Sequence, residues 1–87
     1  MLKCIESVMC GKSLDYNYLL SLKDYAIRLG FKGIAFLRDD GSIKIIAEGE
    51  ERNLLFFVKE IEHGRFLENF YLTWHEPRYE FEGFSLI

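Results

Sequence analysis

Residues 31–48 read FKGIAFLRDDGSIKIIAE, and the architecture turns on this stretch. Two runs rich in β-branched and aromatic residues, Phe31 to Arg38 and Ser42 to Glu48, are separated only by Asp39, Asp40 and Gly41. An Asp-Gly pair between apolar runs is a strong hairpin signal, so the two runs are predicted to be antiparallel neighbours. In the second run the period of a strand puts Ile43, Ile45 and Ala47 on one face and Lys44, Ile46 and Glu48 on the other. The first face is expected inward, the second toward water.

On the N-terminal side, Tyr18, Leu22, Tyr25, Ala26 and Leu29 recur at helical spacing, and Gly30 follows where a C-terminal cap belongs. Ahead of that helix, Lys3 to Met9 alternates in character and ends near Gly11, as a first strand entering a loop does. On the C-terminal side Gly49 closes the hairpin. From Glu50 a second helix is predicted, with Leu54, Phe57, Val58 and Ile61 on its buried side and its end near His63 and Gly64.

Asn69 to His75 then reads as a fourth strand, in which Phe70, Leu72 and Trp74 alternate with Tyr71, Thr73 and His75. Trp74 is expected in the core and Tyr71 and Thr73 on the accessible face. Pro77 stops this strand, and Phe81 to Leu86 adds a short terminal one. The order βαββαβ implies an α+β, ferredoxin-like sandwich: an antiparallel sheet with two helices on one face and strands one and three at its centre.

With 87 residues the chain has room for one domain spanning 1–87. A formal charge of −3, with Lys and Arg scattered among Glu and Asp, gives no footprint for a phosphate backbone, so nucleic acid is disfavoured as a partner. No apolar run approaches the ~20 residues needed to span a bilayer, and Lys3 and Glu6 interrupt the N-terminal stretch. A soluble cytoplasmic protein with no membrane partner is expected. Cys4 and Cys10, if joined by extended chain, stand roughly 20 Å apart, beyond any disulfide, so two buried or half-buried thiols are expected. Neither metal-ligand spacing nor a cofactor motif is present, and no cofactor is predicted.

From Gly11 to Gly49 the spacing resembles that of the acylphosphatases. Their second signature reads glycine, aromatic, small apolar, basic, asparagine, three spacers, glycine, any residue, valine, five spacers, glycine. Here the row is Gly33, Ile34, Ala35, Phe36 and Leu37, then Gly41, Ile43 and Gly49, with every gap kept. Leu29-Gly30-Phe31-Lys32-Gly33, Ala47-Glu48-Gly49-Glu50 and Phe84-Ser85-Leu86 are similar to flanking turns and the closing strand of that family.

The family's first signature, G-x-V-Q-G-V-x-F-R, is a loop whose N–H groups cradle a phosphate clamped by its arginine. Counting back from Gly30 lays it on Gly11, Lys12, Ser13, Leu14, Asp15, Tyr16, Asn17, Tyr18 and Leu19, where only the first glycine and an aromatic survive. In the family the arginine holds the acyl phosphate and the asparagine positions the attacking water. The matching positions are Leu19 and Leu37, neither of which donates a hydrogen bond or carries charge. They are expected to fill the old site with apolar volume. Asp15 either brings a carboxylate toward the phosphate position or caps the first helix.

The resemblance therefore implies a domain that has lost acyl-phosphate hydrolysis and binds a protein or small-molecule ligand of unknown identity. Two other readings are an acylphosphatase working through an atypical site and a single-stranded RNA binder. The second rests on Lys32-Gly33-Ile34-Ala35-Phe36-Leu37, which resembles the RNP1 motif of RNA-recognition domains but falls on strand two rather than three. Gly11-Lys12-Ser13 resembles the end of a phosphate-binding Walker loop, but the earlier glycine would fall at Glu6, inside a strand. Cys10 has no histidine placed to activate it, and His63 and His75 read as surface residues.

Overall fold

The fold is described from a computed structural model in which residues 1–12, 14–63 and 67–87 are placed. The hairpin forms as its sequence demands: β2 (Lys32–Leu37) and β3 (Ile43–Glu50) pair antiparallel, with Ala35 opposite Ile45. Its turn is closed by Gly41 N–H donating to Arg38 O at 2.9 Å. The Asp40 carboxylate accepts from both the N–H and the hydroxyl of Ser42, at 2.9 and 2.6 Å.

β1 (Leu2–Cys10) lies between β3 and β4 (Asn69–His75), antiparallel to both, and β5 (Phe84–Leu86) joins the far side of β2 in parallel. The sheet order is β4-β1-β3-β2-β5, with β1 and β3 central. This is the ferredoxin-like arrangement with one short strand added at an edge. The terminal strand begins at Phe84 rather than Phe81 because residues 76–83 are used differently, as described below.

Helix α1 (Tyr16–Arg28) buries Leu19, Leu22 and Ala26, and α2 (Glu51–Glu62) buries Leu54, Phe57, Val58 and Ile61. α1 ends in the pattern its sequence suggests, and α2 ends at Glu62, next to His63. Gly30 sits at φ +79°, its N–H bonds Ile27 O, and Phe31 N–H reaches Ala26 O, a paired closure that a left-handed residue makes possible. Gly64, the expected stop of α2, lies outside the described residues. At the other end of α2 the chain's own terminus takes part. Glu51 N–H donates to Met1 O at 3.0 Å, and the Met1 ammonium pairs with Glu50 at 2.7 Å.

α1 packs chiefly on β2 and β5, and α2 chiefly on β3 and β1. Between them Phe57 meets Phe31 edge-on at 5.3 Å and Tyr25 at 5.6 Å, joining both helices to the sheet. Because the helical layer is centred on the inner strands, it leaves much of β4 uncovered. Trp74 points to the helix side, opposite Ile5, yet is 40% exposed, so the expectation of a core tryptophan is corrected.

The other face of the sheet also departs from expectation. Ile46 and Glu48 are buried rather than turned to water. Residues 76–83 cross this face as a strap. Glu48 accepts from the N–H groups of Arg78 (2.6 Å) and Tyr79 (3.3 Å), and the Arg78 guanidinium pairs with Glu6. Beneath the strap Cys4 is fully buried, and burial, helped by the Glu48 charge, pushes its thiol up to about 11. Cys4 is thus a packing residue, not a nucleophile. No helix among the described residues is long and apolar enough to cross a membrane.

Candidate functional site

In the loop that follows β1, where the resemblance sets a phosphate cradle, Leu14 and Asp15 both take part in folding. Leu14 is buried in the core, 8% exposed, which draws the loop down onto the helix layer. Asp15 has extended backbone angles, and its Oδ1 accepts from Tyr18 N–H at 2.9 Å. That geometry is an N-cap, the second of the two roles its residue type allowed. The helix end already holds an anion of its own, and one of the free N–H groups there is taken.

Asp15→Ala removes this bond from an exposed cap and is expected to lower stability by about 1 kcal/mol, read from the midpoint of urea unfolding at unchanged slope. A change near zero would mean that the backbone alone holds the helix start.

Beyond the cap, Tyr16 is 58% exposed and Asn17 is exposed, its carbonyl accepting from Ser21 Oγ at 3.2 Å. Ser13 lies outside the described residues. Leu19, which the sequence resemblance lays on the family's arginine, is 1% exposed and packed among core residues. Leu37, which the resemblance lays on the asparagine, ends β2 and is 40% exposed. It lines an open hollow with Phe36, Arg38, Asp39 and Asp40. Of the two leucines, then, Leu19 is buried and Leu37 is not. Leu37 shares the helix-side face through its pairing with Ile43, but the hairpin end projects past that layer.

Beside the loop is a cleft of about 230 Å³ lined by Cys10, Gly11, Lys12, Asp40, Gly41, Ser42 and Glu68. Lys12 is its cation, set against the two carboxylates of Asp40 and Glu68. The bonds from Ser42 hold the Asp40 carboxyl below its ordinary range, so it is charged at neutral pH. Among the described residues the cleft is net negative, which disfavours a phosphate. Among the described residues no group of three metal-ligating side chains comes together.

The sequence pointed to the loop, Leu19 and Leu37, but not to the strap or its anchor. Glu6 and Glu48 both point to the open face, and that shared parity was the available signal. What it lacked was the identity of the basic and N–H partners contributed by Arg78 and Tyr79.

The sheet order, the loop-to-helix turn and the spacing of Gly33, Gly41 and Gly49 define a small ferredoxin-like domain of the acylphosphatase type. The acylphosphatase family model matches residues 6–86, and the chain belongs to that family. Among solved structures, it is similar to an acylphosphatase from Bacillus subtilis, with 23% identity over 100% of this chain and 99% of that one, at a TM-score of 0.81. An acylphosphatase from Coxiella burnetii has 16% identity over 99% and 93% of the two chains, at a TM-score of 0.83. The same fold occurs inside a bacterial light-regulated adenylyl cyclase, with 15% identity over 100% of this chain and 28% of that one, at a TM-score of 0.80. At these identities the likeness is one of fold.

Proposed function

We propose that this chain is an acylphosphatase-family domain without acyl-phosphate hydrolysis, acting as a binding or structural module. The observation that carries the reading is Leu19, buried in the core where the family's arginine would hold the phosphate. Removing one preorganised donor to a developing charge costs roughly 10² to 10³ in rate, and the asparagine position is also without a donor here. The carboxylates of Asp40 and Glu68 beside the loop add repulsion to the loss. What remains of the family inheritance is the frame: the turns, the hairpin and the core.

The test is hydrolysis of benzoyl phosphate by the full chain. Turnover indistinguishable from the spontaneous rate is expected. Turnover well above it that disappears in Lys12→Ala would overturn the proposal and favour an atypical site built on the cation of the loop cleft.

A further inference from the structure

β4 is an edge strand with none of the usual guards. It occupies one end of the sheet and pairs only with β1 among the described residues, so its outer N–H and C=O groups face away from any strand. Edges of this kind are normally blunted by charge, proline or shortness. β4 runs for seven residues, NFYLTWH, without a Lys, Arg, Asp, Glu or Pro. The strands inside the sheet all carry charge: Lys3 and Glu6 in β1, Lys32 in β2, Lys44, Glu48 and Glu50 in β3. The opposite edge, β5, is only three residues long. The unguarded strand is therefore the one placed where a second chain could pair.

We propose that β4 pairs with β4 of a second copy of this chain, antiparallel about a two-fold axis at Leu72, so that the sheet continues across both copies. The strand is its own complement in this register. On the helix side Phe70 meets Trp74 of the second copy and Leu72 meets Leu72. On the open face Tyr71 meets Thr73, and Asn69 meets His75. Apolar residues thus face apolar ones, and polar or aromatic ones face their like, as cross-strand pairs favour. Because side chains alternate, a slip by one residue would oppose the two faces and lose the match.

The surroundings of the strand fit the same occupant. Trp74, 40% exposed, and Leu55, 47% exposed, line a hollow with Lys3, Glu51, His75 and Glu76, so Phe70 of the second copy has an apolar wall to lie against. Just beyond the paired run, Glu68 comes opposite Glu76 of the other copy. Lys3 holds Glu76 in an ion pair at 2.9 Å, which offsets that repulsion. The seven paired residues themselves hold no Lys, Arg, Asp or Glu, so no like charges are opposed between Asn69 and His75, and a two-fold contact closes after two copies. The association is independent of whether the loop hydrolyses anything. Its modest extent makes it concentration-dependent.

Sedimentation equilibrium of the full chain tests it, with the mass expected to rise from 10.3 kDa toward twice that value as concentration increases. Two exposed double variants separate register from general surface effects. Tyr71→Lys with Thr73→Lys sets ammonium against ammonium across the axis, whereas Tyr71→Lys with Thr73→Glu sets ammonium against carboxylate. Far-UV circular dichroism should show both folded. The first pair is expected to self-associate roughly tenfold more weakly than the second. Equal association of the two variants would overturn the register. Open-ended assemblies, or a chain still monomeric at about 500 µM, would overturn the pairing itself, and the monomer would leave the edge to a strand from another protein.

Discussion

Gly33→Ala is expected to remove a large share of the stability of the fold, a loss above about 4 kcal/mol against a total that is typically 5 to 15. Gly33 lies in β2 at φ +151°, a backbone setting that side chains rarely adopt. A Cβ there would stand 1.9 Å from the carbonyl oxygen of Ile46 and 2.9 Å from its carbon, where ordinary contact between carbon atoms is about 3.5 Å. The obstacle is backbone of β3, a central strand paired on both sides, with Ile46 opposite both Ile34 and Glu6. It cannot retreat without breaking two ladders. Gly33 N–H also donates to Gly83 O at 2.9 Å, so a shift of β2 disturbs the start of β5 as well. Gly83→Ala is the control, since nothing lies within 4 Å of the added methyl and its φ is not positive. Urea unfolding of both variants decides the matter: a Gly33→Ala protein within about 1 kcal/mol of the parent would mean that the close approach of the two strands is not required.

That glycine also marks how far the sequence could be read. Its place in the row Gly33, Gly41, Ile43, Gly49 was visible as spacing, and spacing reflects turns and close approaches that the backbone requires locally. The hairpin, the two helices and the central strands followed from periodicity for the same reason. Asp15 was half legible, because its residue type suits both a cap and a carboxylate facing the loop. Only the 2.9 Å bond from Tyr18 N–H distinguishes them. Alternation along β3 correctly grouped Ile46 with Glu48, but it cannot say what covers a face. The cover comes from residues 76–83, a stretch without helical or strand period whose partners lie about thirty and seventy positions away: Glu48 and Glu6. Trp74 was misjudged on similar grounds. Its face was right, but whether a helix reaches that far depends on where β4 sits in the sheet order.

Leu19→Arg, which would restore the family's arginine where the sequence resemblance sets it, is expected to destabilise the chain by about 3 to 5 kcal/mol without conferring turnover. Leu19 is 1% exposed and belongs to the cluster that includes Leu14 and Leu22. A guanidinium in that place has two courses. It can stay among apolar neighbours with its charge unpaired, or it can swing out and leave the volume of a leucine empty. Both courses carry penalties in this range. The nearest acidic residue in sequence, Asp15, already accepts from Tyr18 N–H. Adding Leu37→Asn is a milder change, since that side chain is 40% exposed at a strand end, and it should cost about 1 kcal/mol or less. The double variant is therefore expected to melt well below the parent and to hydrolyse benzoyl phosphate at the spontaneous rate. The two possible histories of this loop give opposite results. If only two side chains had been exchanged on an unchanged cradle, restoring both would return activity in a stably folded protein. If the loop has been repacked around Leu14 and Leu19, with Asp15 taken as a cap, the restored arginine has no pocket to enter. Calorimetry and the assay on the same sample distinguish the two, and a stable, active double variant would overturn the second.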